Sequence, residues 1–210
     1  MKSHGLLMTP DLIRATLAGI KTETRRIPTP RNTLFDGGTW PKELVKDGAW
    51  KTKLDWNKAY IHKQHGAIIL RQNKIIRVLT PRIQPGDSIY VKEAFAANVP
   101  GCEAQGGYSY KADHRDPKGD AMPLNWKSPM FMPREAARIV RRVEIVGFEF
   151  LQDITKQGAE NEGIAFSRID LSHPVKAFGN LWDSINADRG YPWASNPPVL
   201  VIKFGKENIV

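Results

Sequence analysis

Only one cysteine, Cys102, occurs in the 210 residues, so no disulfide can form within the chain and a cysteine-based zinc site is excluded. No stretch approaches the roughly 18 uninterrupted apolar residues of a membrane span. Met1-Lys2-Ser3-His4-Gly5 leads into only four apolar-leaning residues, too few for a signal peptide. The chain also lacks a phosphate loop, a dinucleotide fingerprint, a serine elbow, any internal repeat and any low-complexity segment. Carboxylates are scarce relative to cations: 22 Asp and Glu face 31 Lys and Arg, a formal charge of +9. Hydrophobic residues make up 41%, enough for a buried core. The expectation is one soluble, basic, cytoplasmic domain over 1–210, with no membrane partner and no cofactor. Two readings of the charge stay open: a polyanionic partner, or a protein that is merely basic.

The charge is concentrated. Residues 1–39 carry 6 basic and 3 acidic side chains, residues 40–82 carry 10 and 3, and residues 83–210 carry 15 and 16. The +7 stretch at 40–82 also holds Trp40, Trp50, Trp56 and Tyr60. Basic residues interleaved with aromatics suit phosphate attraction and base stacking. The same residues would equally serve as the small core and solvated face of an insertion.

Thr9-Pro10-Asp11 predicts a helix start with a capping hydroxyl; Ile13, Leu17 and Ile20 fall on one face at helical spacing, and Gly19 marks the helix end. Prolines and glycines make 28–41 a loop; 59–62 and 67–79 read as hairpin strands, and 88–95 alternates as a strand. The stretch 97–130 is a second excursion with a strand at 107–111. A long strand over 138–150 should place Ile139, Val143 and Ile145 on one face, interrupted by Arg141. A short helix at 155–162 closing at Gly163, an amphipathic helix at 174–187 built on Val175, Phe178, Trp182 and Ile185, and a strand at 198–205 complete the chain. Strands outnumber helices without βαβ regularity, which favours an α+β fold, a small mixed β-barrel with flanking helices.

The densest candidate chemistry is Gly19-Ile20-Lys21-Thr22-Glu23-Thr24-Arg25-Arg26. Burial and the neighbouring guanidinium groups of Arg25 and Arg26 would disfavour the ammonium form of Lys21, and such a lysine can take a proton from Thr24. A basic turn that binds phosphate or faces water is the alternative. Glu93 shares the apolar strand face of Ile89, Val91 and Phe95, so its carboxylate points inward and needs a cation such as Lys21 or Arg26. A structural ion pair would satisfy it as well. His62 and His65 lack nearby carboxylates, and Asp113-His114-Arg115-Asp116 precedes Pro117 and Gly119, so both read as polar segments rather than metal sites.

Gly19-x-Lys21-x-x-Thr24-Arg25 followed by Pro85-Gly86-Asp87-x-Ile89-x-Val91-x-Glu93 resembles the two signature blocks of the ASCH domain, in the PUA-like superfamily. Met132-Pro133-Arg134-x-Ala136-x-Arg138-Ile139, Leu151-Gln152-Asp153-Ile154, Glu162-Gly163-Ile164, Leu181-Trp182-Asp183-Ser184-Ile185-Asn186 and Asn196-Pro197-x-Val199 resemble blocks of the larger, phage-borne members. Glu135 departs from that pattern, which has a large aromatic there. The resemblance implies a PUA-like barrel with insertions at about 28–82 and 97–128, and a host-cytoplasmic location if the chain is phage-encoded. It also implies a metal-independent amidohydrolase of acylated cytidine, as nucleoside or within RNA before DNA. Lys21, Thr24 and Glu93 would be catalytic, and Arg25, Arg26, Arg134 and Arg138 would bind substrate or nucleic acid. The rivals are a non-catalytic reader of RNA or modified bases and a ribonuclease.

Overall fold

The chain, seen in a computed structural model that describes residues 1–28, 33–35, 59–62, 67–72, 75–102, 106–114, 125–164 and 173–209, begins with strand β1 (Ser3–Leu7) and helix α1 (Pro10–Leu17). Pro10 presets the first turn of α1, and Asp11 places a negative charge at its positive end. Thr9 makes no side-chain cap, contrary to the sequence expectation. The buried face is Leu12, Ile13, Ala15 and Thr16 rather than Ile13, Leu17 and Ile20. Gly19, at φ +69, turns the chain out of the helix first, so Ile20 is no longer on a helical face and is exposed.

Strand β2 (Glu23–Arg26) follows. The stretch read as loop at 28–41 contains a strand, β3 (Thr33–Phe35). It joins β4 (Ala59–His62), β5 (Ala67–Gln72) and β6 (Ile75–Pro81) in an antiparallel sheet of order β3-β6-β5-β4, which touches the rest of the protein where β5 passes the long strand β10 (Val140–Phe150). The β-rich runs at 59–62 and 67–79 are hairpin strands as expected, the second run forming two of them, β5 and β6. Trp40, Trp50 and Trp56 lie outside the described residues.

The main sheet has the order β1-β7-β10-β11-β2, where β7 is Ser88–Lys92 and β11 is Pro198–Phe204. Only β1 and β7 are parallel; the other pairs are antiparallel. This is an α+β architecture with an open mixed sheet rather than the closed barrel expected. The two edges nevertheless approach: the Arg26 guanidinium on β2 donates to the Leu7 carbonyl on β1 at 2.7 Å. A side chain, not a backbone ladder, joins them. Strand β2 has four residues and runs into Pro28, and proline cannot donate to a ladder.

Strand β11 is buried on both faces. Leu200, Ile202 and Phe204 join a core with Leu12 and Ile13 of α1 and with Ile89 and Val91 of β7. Val199 and Val201 face a second core with Ile154 and with Phe178 and Trp182. The last two lie on helix α3 (Pro174–Asn186), whose buried residues include Pro174, Ala177 and Gly179, while Ile185 is exposed, unlike the face expected. At the start of β10, Arg141 and Val143 are buried, in alternation with Ile139 just before the strand, and Val140 is buried as well. A bulge between Val143 and Ile145 then reverses the facing, and Ile145 is 56% exposed.

The Pro85-Gly86-Asp87 block is a clamp. Asp87 accepts from the Lys2 N–H at 2.9 Å and the Gln84 N–H at 3.1 Å, and lies 3.1 Å from His4 Nε2. It pins the start of β1 to β7, and the Lys2 bond, ahead of the His4 contact, holds its carboxyl below the usual range. A two-stranded ribbon, β8 (Phe95–Ala96) with β9 (Ser109–Tyr110), follows β7. No helix among the described residues is long and apolar enough to cross a membrane.

Candidate active site

Strand β2 sorts its side chains by face. Thr24 and Arg26 stand opposite Ile202 and Leu200 of β11, on the side of the first core. Glu23 and Arg25 stand opposite Lys203 and Val201, on the side of helix α2 (Lys156–Asn161) and α3. Lys21 lies just before the strand and is 1% exposed, with Phe204 among the largest fully buried side chains of the described residues.

Its ammonium has three acceptors: the Glu23 carbonyl at 2.7 Å, the Glu162 carbonyl at 2.9 Å and Glu162 Oε2 at 2.6 Å. The other Glu162 oxygen takes a bond from Arg25 at 3.3 Å. Arg25 also binds Glu149 at 2.5 Å and approaches Glu23 at 3.4 Å, and Glu23 in turn meets Lys203 at 2.8 Å and Asn161 at 3.0 Å. Burial lowers the Lys21 pKa from its ordinary value, Glu162 works against that, and Arg26 and Arg25 add to it.

Two glycines make room for this cluster. Thr155 caps α2 through the Gly158 N–H at 3.0 Å, and a Cβ at 158 would lie 2.9 Å from the Arg25 guanidinium. Gly163, at φ +85, ends the helical turn after Glu162, and a Cβ there would lie 2.7 Å from Ala15 Cβ and 3.0 Å from Lys21 Cβ. Gly163→Ala should therefore lower stability by about 2–5 kcal/mol, from backbone strain plus overpacking, read as a fall in the urea midpoint.

Glu93 belongs to a different cluster. It is fully buried at the end of β7, as the alternation requires, but its cation is Arg138, not Lys21 or Arg26. Arg138 reaches both Glu93 oxygens, at 2.9 and 3.0 Å, and both Asp113 oxygens, at 2.8 and 2.9 Å. Its guanidinium lies 4.0 Å from the Tyr110 ring centroid. Burial raises the Glu93 pKa, Arg138 partly offsets this, and Asp113 adds to the rise.

Each member of the expected triad has its own hydrogen-bond partner. Lys21 pairs with Glu162 and Glu93 with Arg138, and no hydrogen bond joins Lys21, Thr24 and Glu93 to one another. Thr24 Oγ1 accepts from Arg26 Nε at 3.2 Å, which leaves the hydroxyl hydrogen free of that bond. Of the expected binding cations, Arg25 is buried and fully engaged, Arg138 is committed to two carboxylates, Arg26 is half-buried, and Arg134 is exposed.

Compared with protein-family models, curated proteins and solved structures, the chain matches none. Its site is thus read from its own residues. Glu162 is the functional candidate that sequence reasoning missed: it stood there as part of the Glu162-Gly163-Ile164 block and at a helix end, with no role in the site. Its contact with Lys21 spans 141 positions. Among the described residues no group of three His, Cys, Asp or Glu side chains could hold a metal. His65, Arg115 and Asp116 lie outside the described residues, and His114 is bonded to Ser109.

Proposed function

We propose that the protein is an amidohydrolase of acylated cytidine-type nucleosides or nucleotides, with Lys21 and Glu162 as its proton-handling pair and Thr24 as its nucleophile. The observation that carries this reading is the burial of the Lys21 ammonium against a carboxylate that can receive its proton. Apolar residues of similar volume would stabilise a fold at least as well as a buried ion pair, and costly, perturbed titratable groups concentrate where chemistry is done.

In this reading, substrate binding exchanges one of the three Lys21 acceptors for the Thr24 hydroxyl. Neutral Lys21 takes the Thr24 proton as Oγ1 bonds to the acyl carbon. The C=O electron pair moves to the acyl oxygen, and the Arg26 guanidinium, bonded to the adjoining Oγ1, offsets the negative charge that develops there. The C–N bond breaks, the proton passes through the Lys21–Glu162 pair to the departing amine, and water releases the acyl group as a carboxylic acid.

The test is to follow deacetylation of N4-acetylcytidine, free and within a short RNA. Turnover should fall by about 100-fold or more in Thr24→Val and in Lys21→Met, with each variant shown to be folded by circular dichroism. Absence of turnover in the unaltered protein would reject the hydrolase.

A second reading is a binding module for a modified base or RNA. It is favoured by the saturation of the resting site: three acceptors on Lys21 and two guanidinium bonds on Glu93. Nucleobase binding without product would select it.

A further inference from the structure

The turn Pro129–Phe131 holds two large apolar side chains out to solvent, Phe131 at 74% and Met130 at 61% exposure. It is not a frayed segment. Ser128 accepts from the Met130 N–H at 3.4 Å with its side chain and from the Phe131 N–H at 3.0 Å with its carbonyl. Lys92, at the end of β7, donates to the Met130 carbonyl at 2.8 Å. One residue later the chain turns inward: Met132 is buried, and its sulfur accepts from the Glu93 N–H at 3.2 Å. The exposed tip is therefore continuous with the Glu93–Arg138 cluster.

Cations flank the tip. Lys127 and Arg134 are exposed, Lys92 is half-buried beside Met130, and the carboxylates of Glu135 and Asp113 are exposed as well. An exposed ring on a hydrogen-bonded turn, bordered by cations, is the arrangement on which an unpaired base stacks while its phosphates are neutralised. A bilayer would need apolar area around the tip, but Ser128, Arg134 and Glu135 beside it are polar.

We infer that the Met130–Phe131 turn, with Lys92, Lys127 and Arg134, is a stacking platform for single-stranded nucleic acid. This rests on the nucleobase-directed reading above and deepens it: the substrate is a base within a strand. The test measures anisotropy of labelled ten-nucleotide RNA and DNA carrying no acyl group, so a hydrolytically inactive protein still answers it. Phe131→Ala should weaken binding by about 5- to 150-fold, and Phe131→Trp should keep it. The dependence of log K on log salt should have a slope of about −2 for three phosphate contacts. Equal affinity in Phe131→Ala, no binding of either strand, or Phe131-dependent binding to anionic vesicles in place of oligonucleotide would overturn the platform. Deacetylation of the free nucleoside by a protein that ignores both strands would reject this surface alone and leave the hydrolase intact.

Discussion

Glu162→Ala is expected to lower the unfolding free energy by about 3–5 kcal/mol at neutral pH, because it strands the buried Lys21 ammonium without its carboxylate. Lys21 would retain only two carbonyl acceptors, and Arg25 would keep Glu149 and Glu23. The pH dependence has a definite sign. The Lys21 pKa already lies below its ordinary value of 10.5, so between the folded and unfolded values the unfolded chain binds more protons, and stability rises with pH. Removing Glu162 removes the causes that raise the Lys21 pKa and widens that window downward. The deficit should therefore shrink as pH climbs towards 10.5. Urea unfolding at several pH values measures it. A single variant within about 1 kcal/mol of the parent would mean the pair contributes no more than a surface contact. The double variant Lys21→Met with Glu162→Leu separates stability from chemistry: it should recover most of the loss, since a packed apolar pair replaces a buried ionic one, and remain unable to deacetylate.

Arg138→Met should have a stability effect of similar size, about 3–5 kcal/mol at neutral pH, because it leaves the fully buried Glu93 without its cation. Loss of the guanidinium over the Tyr110 ring adds about 1 kcal/mol. Here the pH dependence runs the other way. Burial already raises the Glu93 pKa from 4.5, and removal of Arg138 raises it further. Between the unfolded and folded values the native state binds more protons, so stability falls as pH rises through that window. Arg138→Met should accordingly be least destabilised in acid and most destabilised near neutrality. Adding Glu93→Gln should remove that pH dependence. A deficit that does not vary with pH would show that Glu93 is not the group left exposed to the loss.

These two clusters show how unevenly the site can be read in the sequence. The inward direction of Glu93 follows from period-two alternation with Ile89 and Val91, and the buried facing of Ile139, Arg141 and Val143 follows from the same rule. That rule failed at Ile145, because a bulge adds one residue to β10 and no local pattern announces it. Helix ends at Gly19 and Gly163 were legible, since a left-handed backbone favours glycine. The short strand β3 was not, because prolines and glycines dominate its surroundings.

What the sequence determined by itself is local: which segments alternate, where helices stop, and that Lys21, Thr24 and Arg26 lie within one short run. What only the tertiary structure decided is partnership. A buried charge takes whichever opposite charge the fold delivers within hydrogen-bond reach, and loop closure over long separations leaves no trace in residue spacing. Lys21 thus meets Glu162 from the turn after α2, Glu93 meets Arg138 ahead of β10, and the edges β1 and β2 meet through Arg26 rather than through a ladder. The scarcity of carboxylates noted at the outset acquires a local meaning from this. Around Lys21 and Arg25 the fold gathers Glu23, Glu149 and Glu162 where the cations are buried, because there a missing anion would cost most.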